Sequence, residues 1–170
     1  MKAFSNPGYM LAFARIEVRV AYTAFLVLVV IGMLTMGAFQ VGHIGPLPSD
    51  IATYFLGGER AGVMTFPKAY REMVELTHAH AFVMGLVYLV LAHLLIATTA
   101  PPFVKKWAVI GGFAGLVGDV VGVWLIRYVS PRFAYGQVCA WAAEWVSFVA
   151  FVYYPMRDMW FASEDDGDDD

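Results

Sequence analysis

The sequence predicts an all-α membrane protein: a four-transmembrane-helix antiparallel bundle with one larger outer loop between helices 1 and 2. Composition is the first ground. Of the 170 residues, 60% are hydrophobic and 15% charged, with a mean hydropathy of +0.64. A soluble domain is about 45–50% apolar and about 25% charged, so a water-soluble globule does not fit. The second ground is four apolar runs, each near the ~20 residues a helix needs to cross a bilayer. The third is that three of the four histidines fall in or beside one of these runs, where ionisable groups are costly and functional by default.

The elements follow in order. Met1 to Tyr9 is a short polar leader, and Arg15, Glu17 and Arg19 precede the apolar run of span 1, residues 20–40. That run exceeds the ~7–15 residues of a signal-peptide core, so it reads as an uncleaved helix, with a start as early as Tyr9 conceivable. Gln40 to Val74 is the one sizeable loop. Gly42, Gly45, Pro46 and Pro48 end the first helix, Ser49-Asp50 caps a short helix through Tyr54-Phe55, and Gly57-Gly58 breaks it. Lys68 to Glu75 reads as an interfacial turn leading into span 2, residues 76–97.

Pro101-Pro102 forces a tight connection through Lys105-Lys106 into span 3, residues 107–126. Arg127 to Arg132 turns the chain into span 4, residues 134–154. Residues 1–160 therefore form one membrane domain, and 161–170 an acidic, solvated, disordered tail. Trp107, Tyr128, Tyr135, Tyr153, Tyr154 and Trp160 sit where interfacial aromatic belts belong. The basic residues of the short connections, led by Lys105-Lys106, place both termini in the cytoplasm and the long loop outside.

Charge and cysteine usage narrow the function classes. The net charge of −3 comes from the acidic tail, and no basic patch suggests nucleic acid. The lone Cys139 excludes an intramolecular disulfide and a multi-cysteine metal or iron–sulfur site, and reads as a small buried filler.

Helical phase then sorts the polar groups. At about 100° per residue, His78 and His93 fall within about 60° of each other, on the stripe of Ala81, Gly85 and Ala92, and are the expected inward pair; His80 points away. His93 lies about 20 Å deeper than His80. Asp119 shares a face with Gly112, Gly115 and Gly122, and Gln137, Ala140, Glu144 and Ser147 make a matching stripe on span 4. The two carboxyls sit at similar depth, about 12 and 15 Å below the outer end. They serve as a proton or quinone site with Gln137 and Arg127, as hydrogen-bonded structural acids, or, for Asp119, in an ion pair with Arg127. His43, at the outer end of span 1, is at the level of His78 and His80. Histidines from two neighbouring helices can supply both axial ligands of a haem between them. Met33 or Met36 is a further axial candidate, and His93 is a second cofactor ligand or a structural residue.

The segment Phe66-Pro-Lys-Ala-Tyr-Arg-Glu-Met-Val-Glu-Leu-Thr-His-Ala-His80 resembles a motif of a family of small bacterial inner-membrane proteins, some labelled "elongation factor-1 alpha". The motif is an F-P-x-x-[FY]-x-E-[ML] approach followed by T-H-x-H opening the second helix. Val123 to Tyr135 is similar to that family's turn between the last two spans. This resemblance implies the topology and the bacterial inner (plasma) membrane, and no catalytic assignment. The chain is also similar in plan to four-helix b-type cytochromes, although that diheme pattern needs two inward histidines on each of two helices.

The leading expectation is a membrane electron-transfer subunit. It binds one haem b near the outer face through His43 and either His78 or His80, and exchanges electrons with quinone and a redox partner. A second reading is a structural subunit of a larger respiratory or photosynthetic complex, with a histidine on a chlorophyll-type pigment. A third is a metal-binding membrane protein using His43, His78, His80, Asp119 and Glu144.

Overall fold

The structure, a computed structural model, describes residues 10–60 and 62–161. The polar leader and the acidic tail beyond Phe161 lie outside the described residues. Four long helices carry the architecture: α1 (Ile16–Ile44), α3 (Tyr70–Ile96), α4 (Pro102–Tyr128) and α5 (Ala134–Phe161). A short α2 (Pro48–Leu56) and a small antiparallel hairpin of β1 (Gly58–Arg60) and β2 (Val63–Thr65) fill the loop between the first two. The protein is an integral membrane protein with the expected all-α, four-helix fold. Its outer faces are apolar, as lipid requires: Leu28 is 68% exposed and Val146 73%.

Every long helix begins before its apolar run or ends after it. At ~1.5 Å per residue a helix of this length exceeds the ~30 Å hydrocarbon layer, so its ends reach the headgroup zone and carry charge there. Arg19 folds back onto the carbonyls of Ala14 and Ala12, both at 2.8 Å. The Ala69 N–H donates to Glu72 at 2.7 Å, capping α3, and Arg71 pairs with Glu75 one turn on. The interfacial turn expected at 68–75 is therefore largely the first part of α3 itself. Lys105, expected in a connection, lies in the first turn of α4, where its Nζ donates to the carbonyls of Ile96 and Thr98 at the end of α3. Such caps satisfy backbone groups that hydrocarbon leaves unpaired.

The loop is built by its glycines and one carboxylate. Asp50 accepts from the Leu47 N–H at 3.3 Å at the start of α2. Gly57 has φ 79°, and a Cβ there would lie 2.7 Å from the Pro67 nitrogen, so only glycine turns the chain into the hairpin. The hairpin had no sequence signal in the reading above. Ile51 and Phe55 of α2 pack with Met73, Val123 and Ile126 into a small core that closes the loop end of the bundle.

The main core fills the opposite, terminal end, where Leu11, Leu26, Tyr88, Leu95, Phe151 and Met159 are buried together. Between the two cores, α4 and α5 pack most intimately. At Gly115 a Cβ would stand 2.7 Å from Glu144 Cγ and 2.9 Å from the Ala140 carbonyl oxygen. The small-xxx-small spacing of span 3 therefore does what that pattern does in membranes, which is to let two backbones approach. α1 is held more loosely and leans chiefly on α5.

A polar knot ties the terminal end. Asp158, 1% exposed, receives Arg157 Nε and Nη2 at 3.0 and 2.7 Å and the Thr99 N–H at 2.5 Å. Arg157 also donates to the Thr99 hydroxyl. The turn between α3 and α4 is thus fastened to the end of α5.

Candidate functional site

The site is a cavity of about 490 Å³ lined by residues of all four long helices. Ligand pockets span about 300–1,000 Å³. Its walls are apolar, with Phe25, Val29, Met33 and Met36 from α1, Met84 and Val87 from α3, and Leu116 from α4. Into this greasy chamber project Gln40, His80, Asp119, Glu144 and Trp145.

His80 comes from a π-helical turn, His80–Met84, in α3. Such turns insert one residue and occur often at functional sites. Its Nδ1 lies 2.9 Å from the Leu76 carbonyl oxygen. A carbonyl only accepts, so Nδ1 carries the proton, and Nε2 of the neutral ring presents a lone pair. A second π-helical turn, Gln40–Ile44, brings Gln40 to the cavity from α1.

Asp119 is oriented by α5. Trp141 Nε1 donates to its Oδ1 at 2.7 Å and Gln137 Nε2 donates to the same oxygen. Glu144 is 9% exposed, and its Oε1 has no hydrogen-bond partner among the described residues. Trp145 Nε1 donates to Gln40 Oε1 at 3.4 Å across the chamber. Two carboxyls, one imidazole and an amide thus share an apolar-walled space, a set able to accept and donate hydrogen bonds and to hold a proton.

Several expectations are corrected here. His78 and His93 are not the inward pair: both are exposed on outer faces, His78 beside Phe82 and His93 with its Nδ1 on the Leu89 carbonyl. His80 is the inward histidine. The inward stripe of α3 runs through Met73, Thr77, His80, Met84 and Tyr88, marked by large residues rather than by Ala81 and Gly85.

His43, His78 and His80 do not converge. His43 stacks on Phe39, lies edge-on to Tyr54 and lines a separate pocket at the loop end. Among the described residues no three His, Cys, Asp or Glu side chains gather closely enough to hold a metal ion. Arg127 donates to the Lys68 carbonyl at 2.9 Å and sits over Tyr128, rather than pairing with Asp119. Cys139 is exposed, not a buried filler.

Other expectations hold. Gln137, Ala140, Glu144 and Ser147 form a buried stripe on α5, and Asp119 faces it. The sequence reading passed over Trp141, Trp145, Gln40, Tyr88 and Asp158. Trp141 stands one turn after Gln137, so an i, i+4 search from the polar stripe finds it. Asp158 stood beyond the expected end of span 4.

A family model described as a transmembrane helical domain matches residues 45–166, which takes in the loop, α3, α4 and α5. Neither the comparison with curated proteins nor that with solved structures gave a match.

Proposed function

The chain belongs to the Aq_1264_TM family of transmembrane helical domains, and we propose that it is a bacterial inner-membrane redox subunit whose intramembrane cavity binds a quinone. The observation that carries this reading is the chamber of about 490 Å³ in which His80, Asp119 and Glu144 meet apolar walls. A quinone needs both kinds of surface. Its ring carbonyls accept hydrogen bonds and take up protons on reduction, and its tail needs apolar walls continuous with lipid. Leu28 and Gly32, in the α1 wall, are exposed on the outside of the bundle, which favours entry from the bilayer beside α1. In this reading His80 and the carboxyls face the ring, and Gln137 and Trp141 hold Asp119 in place. The long loop faces the outer side and both termini the cytoplasm, as the basic connections suggest.

Trp145 supplies the test, because quinones quench indole fluorescence at close range. Titration of the detergent-purified protein with decylubiquinone should give saturable quenching. The quenching should be largely lost in Trp145→Phe and shifted to higher concentration by about tenfold or more in His80→Ala, as for loss of the hydrogen bond that His80, once protonated at Nε2, donates to a ring carbonyl. Linear, non-saturating quenching identical in all three proteins sinks the proposal.

One observation favours a second reading, haem b. His80 has its Nδ1 anchored on a backbone carbonyl, the arrangement that orients an imidazole for ligation through Nε2. Met33, Met36 and Met84 line the same chamber, so the donors present fit a His/Met axial pair rather than the bis-histidine pair with His43. Haem there would supply one-electron chemistry. A Soret band in the protein purified after expression with ample haem, lost in His80→Ala, would decide for it; its absence leaves quinone as the ligand.

A further inference from the structure

The cavity does not stand alone, and the way it connects to the surface gives the molecule a direction. A second, much smaller space of about 50 Å³ lies between the chamber and the loop end. It shares Met36, His80 and Asp119 with the chamber, so these three side chains form the partition between the two. Its other walls include Thr77, Trp141 and Tyr54. Tyr54 in turn belongs to a third pocket, of about 170 Å³, lined by His43, Thr65 and Lys68 at the loop-end surface. Three spaces therefore follow one another from the loop end inward, each joined to the next by shared side chains.

The opposite direction is closed. On the terminal side of Glu144 the bundle is filled by Tyr88, Phe151, Leu91 and Leu95, each at most 1% exposed. Tyr88 meets Phe151 edge to face with centroids 5.8 Å apart, and Phe113 lies beside it at 6.1 Å. Behind the Tyr88 hydroxyl, the side chains of Phe151, Leu91 and Leu95 carry no polar atom, and an apolar layer of this kind opposes the passage of a proton or any other ion.

We propose that the chamber exchanges protons with the loop-end aqueous phase alone, along a hydrated path from the His43 pocket past Tyr54 to His80 and Asp119. The polar groups are spaced for such a relay. His43 is edge-on to Tyr54 at 5.8 Å, Thr77 and His80 are one helical turn apart on α3, and Asp119 takes its hydrogen bonds from the Gln137 and Trp141 side of the partition. Among the described residues Gln137 Oε1, Glu144 Oε1 and the Tyr88 hydroxyl are buried and have no hydrogen-bond partner. Buried polar atoms of this kind are ordinarily satisfied by internal water. A proton arriving from the loop side crosses the partition by protonating His80 Nε2 or an Asp119 oxygen and is released into the chamber, with no bond other than O–H or N–H made or broken. What the path serves rests on the redox reading given above; its existence and sidedness do not.

The test uses the full chain, reconstituted in liposomes with one orientation, in a Cys139→Ala background. Single cysteines are placed at Met36→Cys and Thr77→Cys, both lining the small space, and at Leu95→Cys in the terminal core. Silver ion, close to water in size, is applied from either side, and the thiols left unprotected are labelled with a fluorescent maleimide after denaturation. Silver from the loop side should protect Met36→Cys and Thr77→Cys at least about tenfold faster than silver from the terminal side, because an ion does not cross a dry apolar layer readily. Leu95→Cys should stay unprotected from both sides. Adding Tyr54→Trp should slow loop-side protection of Thr77→Cys severalfold. Equal rates from the two sides, faster entry from the terminal side, or no protection of either cysteine overturns the proposal. No quinone or haem is needed for this readout, so failure of ligand binding is seen separately.

Discussion

Asp119 shows how one residue sets the character of the site. It accepts from both Gln137 and Trp141, so two buried donors depend on one oxygen. Asp119→Asn keeps an acceptor of the same shape, and should leave stability within about 1 kcal/mol while removing a proton-carrying group. Asp119→Leu strands both donors and should cost about 2–6 kcal/mol, at about 1–3 for each unsatisfied group. Unfolding titrations of the two variants in mixed detergent micelles check the contrast, and equal losses would show that Asp119 is not the acceptor holding these side chains. Asp158 makes a second case. Its partners Arg157 and Thr99 are fixed by four donors at one carboxylate, two from each residue. Asp158→Asn should destabilise by about 1.5–3 kcal/mol, the range for hydrogen bonds to a charged group. Arg157 is 38% exposed at its side chain and would be re-solvated by water, which keeps the loss below that of a fully buried pair.

At the level of elements, the α4–α5 contact bears the closest packing. Gly115→Ala places a methyl against Glu144 Cγ and the Ala140 backbone oxygen. Because backbone cannot yield as a side-chain tip can, a loss of about 1–3 kcal/mol is expected, typical of overpacking. Gly32→Ala, with open space around the added methyl, should be neutral when the thermal melts of the two variants are compared. This face was legible beforehand, because glycine at helical spacing opposite a polar stripe leaves few other arrangements. The inward face of α3 was not. The small residues Ala81 and Gly85 suggested close approach by a neighbour, but Ala81 is exposed, and large side chains, Met73, Tyr88 and Leu91, carry the contacts instead. The π-helical turn at His80–Met84 adds a further shift of phase that a uniform 100° rotation cannot follow. The helices run past the expected spans for a plainer reason: capping by Arg19, Glu72 and Lys105 depends on where side chains fold back, and hydropathy alone does not carry that.

Across the whole molecule, a compact core at the terminal end, a thin cap at the loop end and a chamber between them make an asymmetric body. Four-helix topology followed directly from composition and run lengths, whereas the grouping of histidines depended on which faces meet, and so escaped a depth argument that placed His43, His78 and His80 at one level. The asymmetry predicts how ligand stabilises the fold. A quinone that fills the chamber binds only the assembled bundle, so decylubiquinone at about 100 times its dissociation constant should add about 2.7 kcal/mol to the native state. The melting temperature should rise with ligand concentration in the native protein and stay unchanged in a chamber-filling Gly32→Phe variant. A rise of the same size in both proteins would place the ligand elsewhere.

The fastening of the α3–α4 turn to Arg157 and Asp158 also orders events during biosynthesis. α4 enters the bilayer with its row of glycines unshielded, and only α5 carries the Gln137, Ala140, Glu144 and Ser147 face that fits against it. Asp158 lies near the far end of α5, so the latch cannot close until that helix has been made and has crossed. Until then the glycine face of α4 lies without the helix that fits against it.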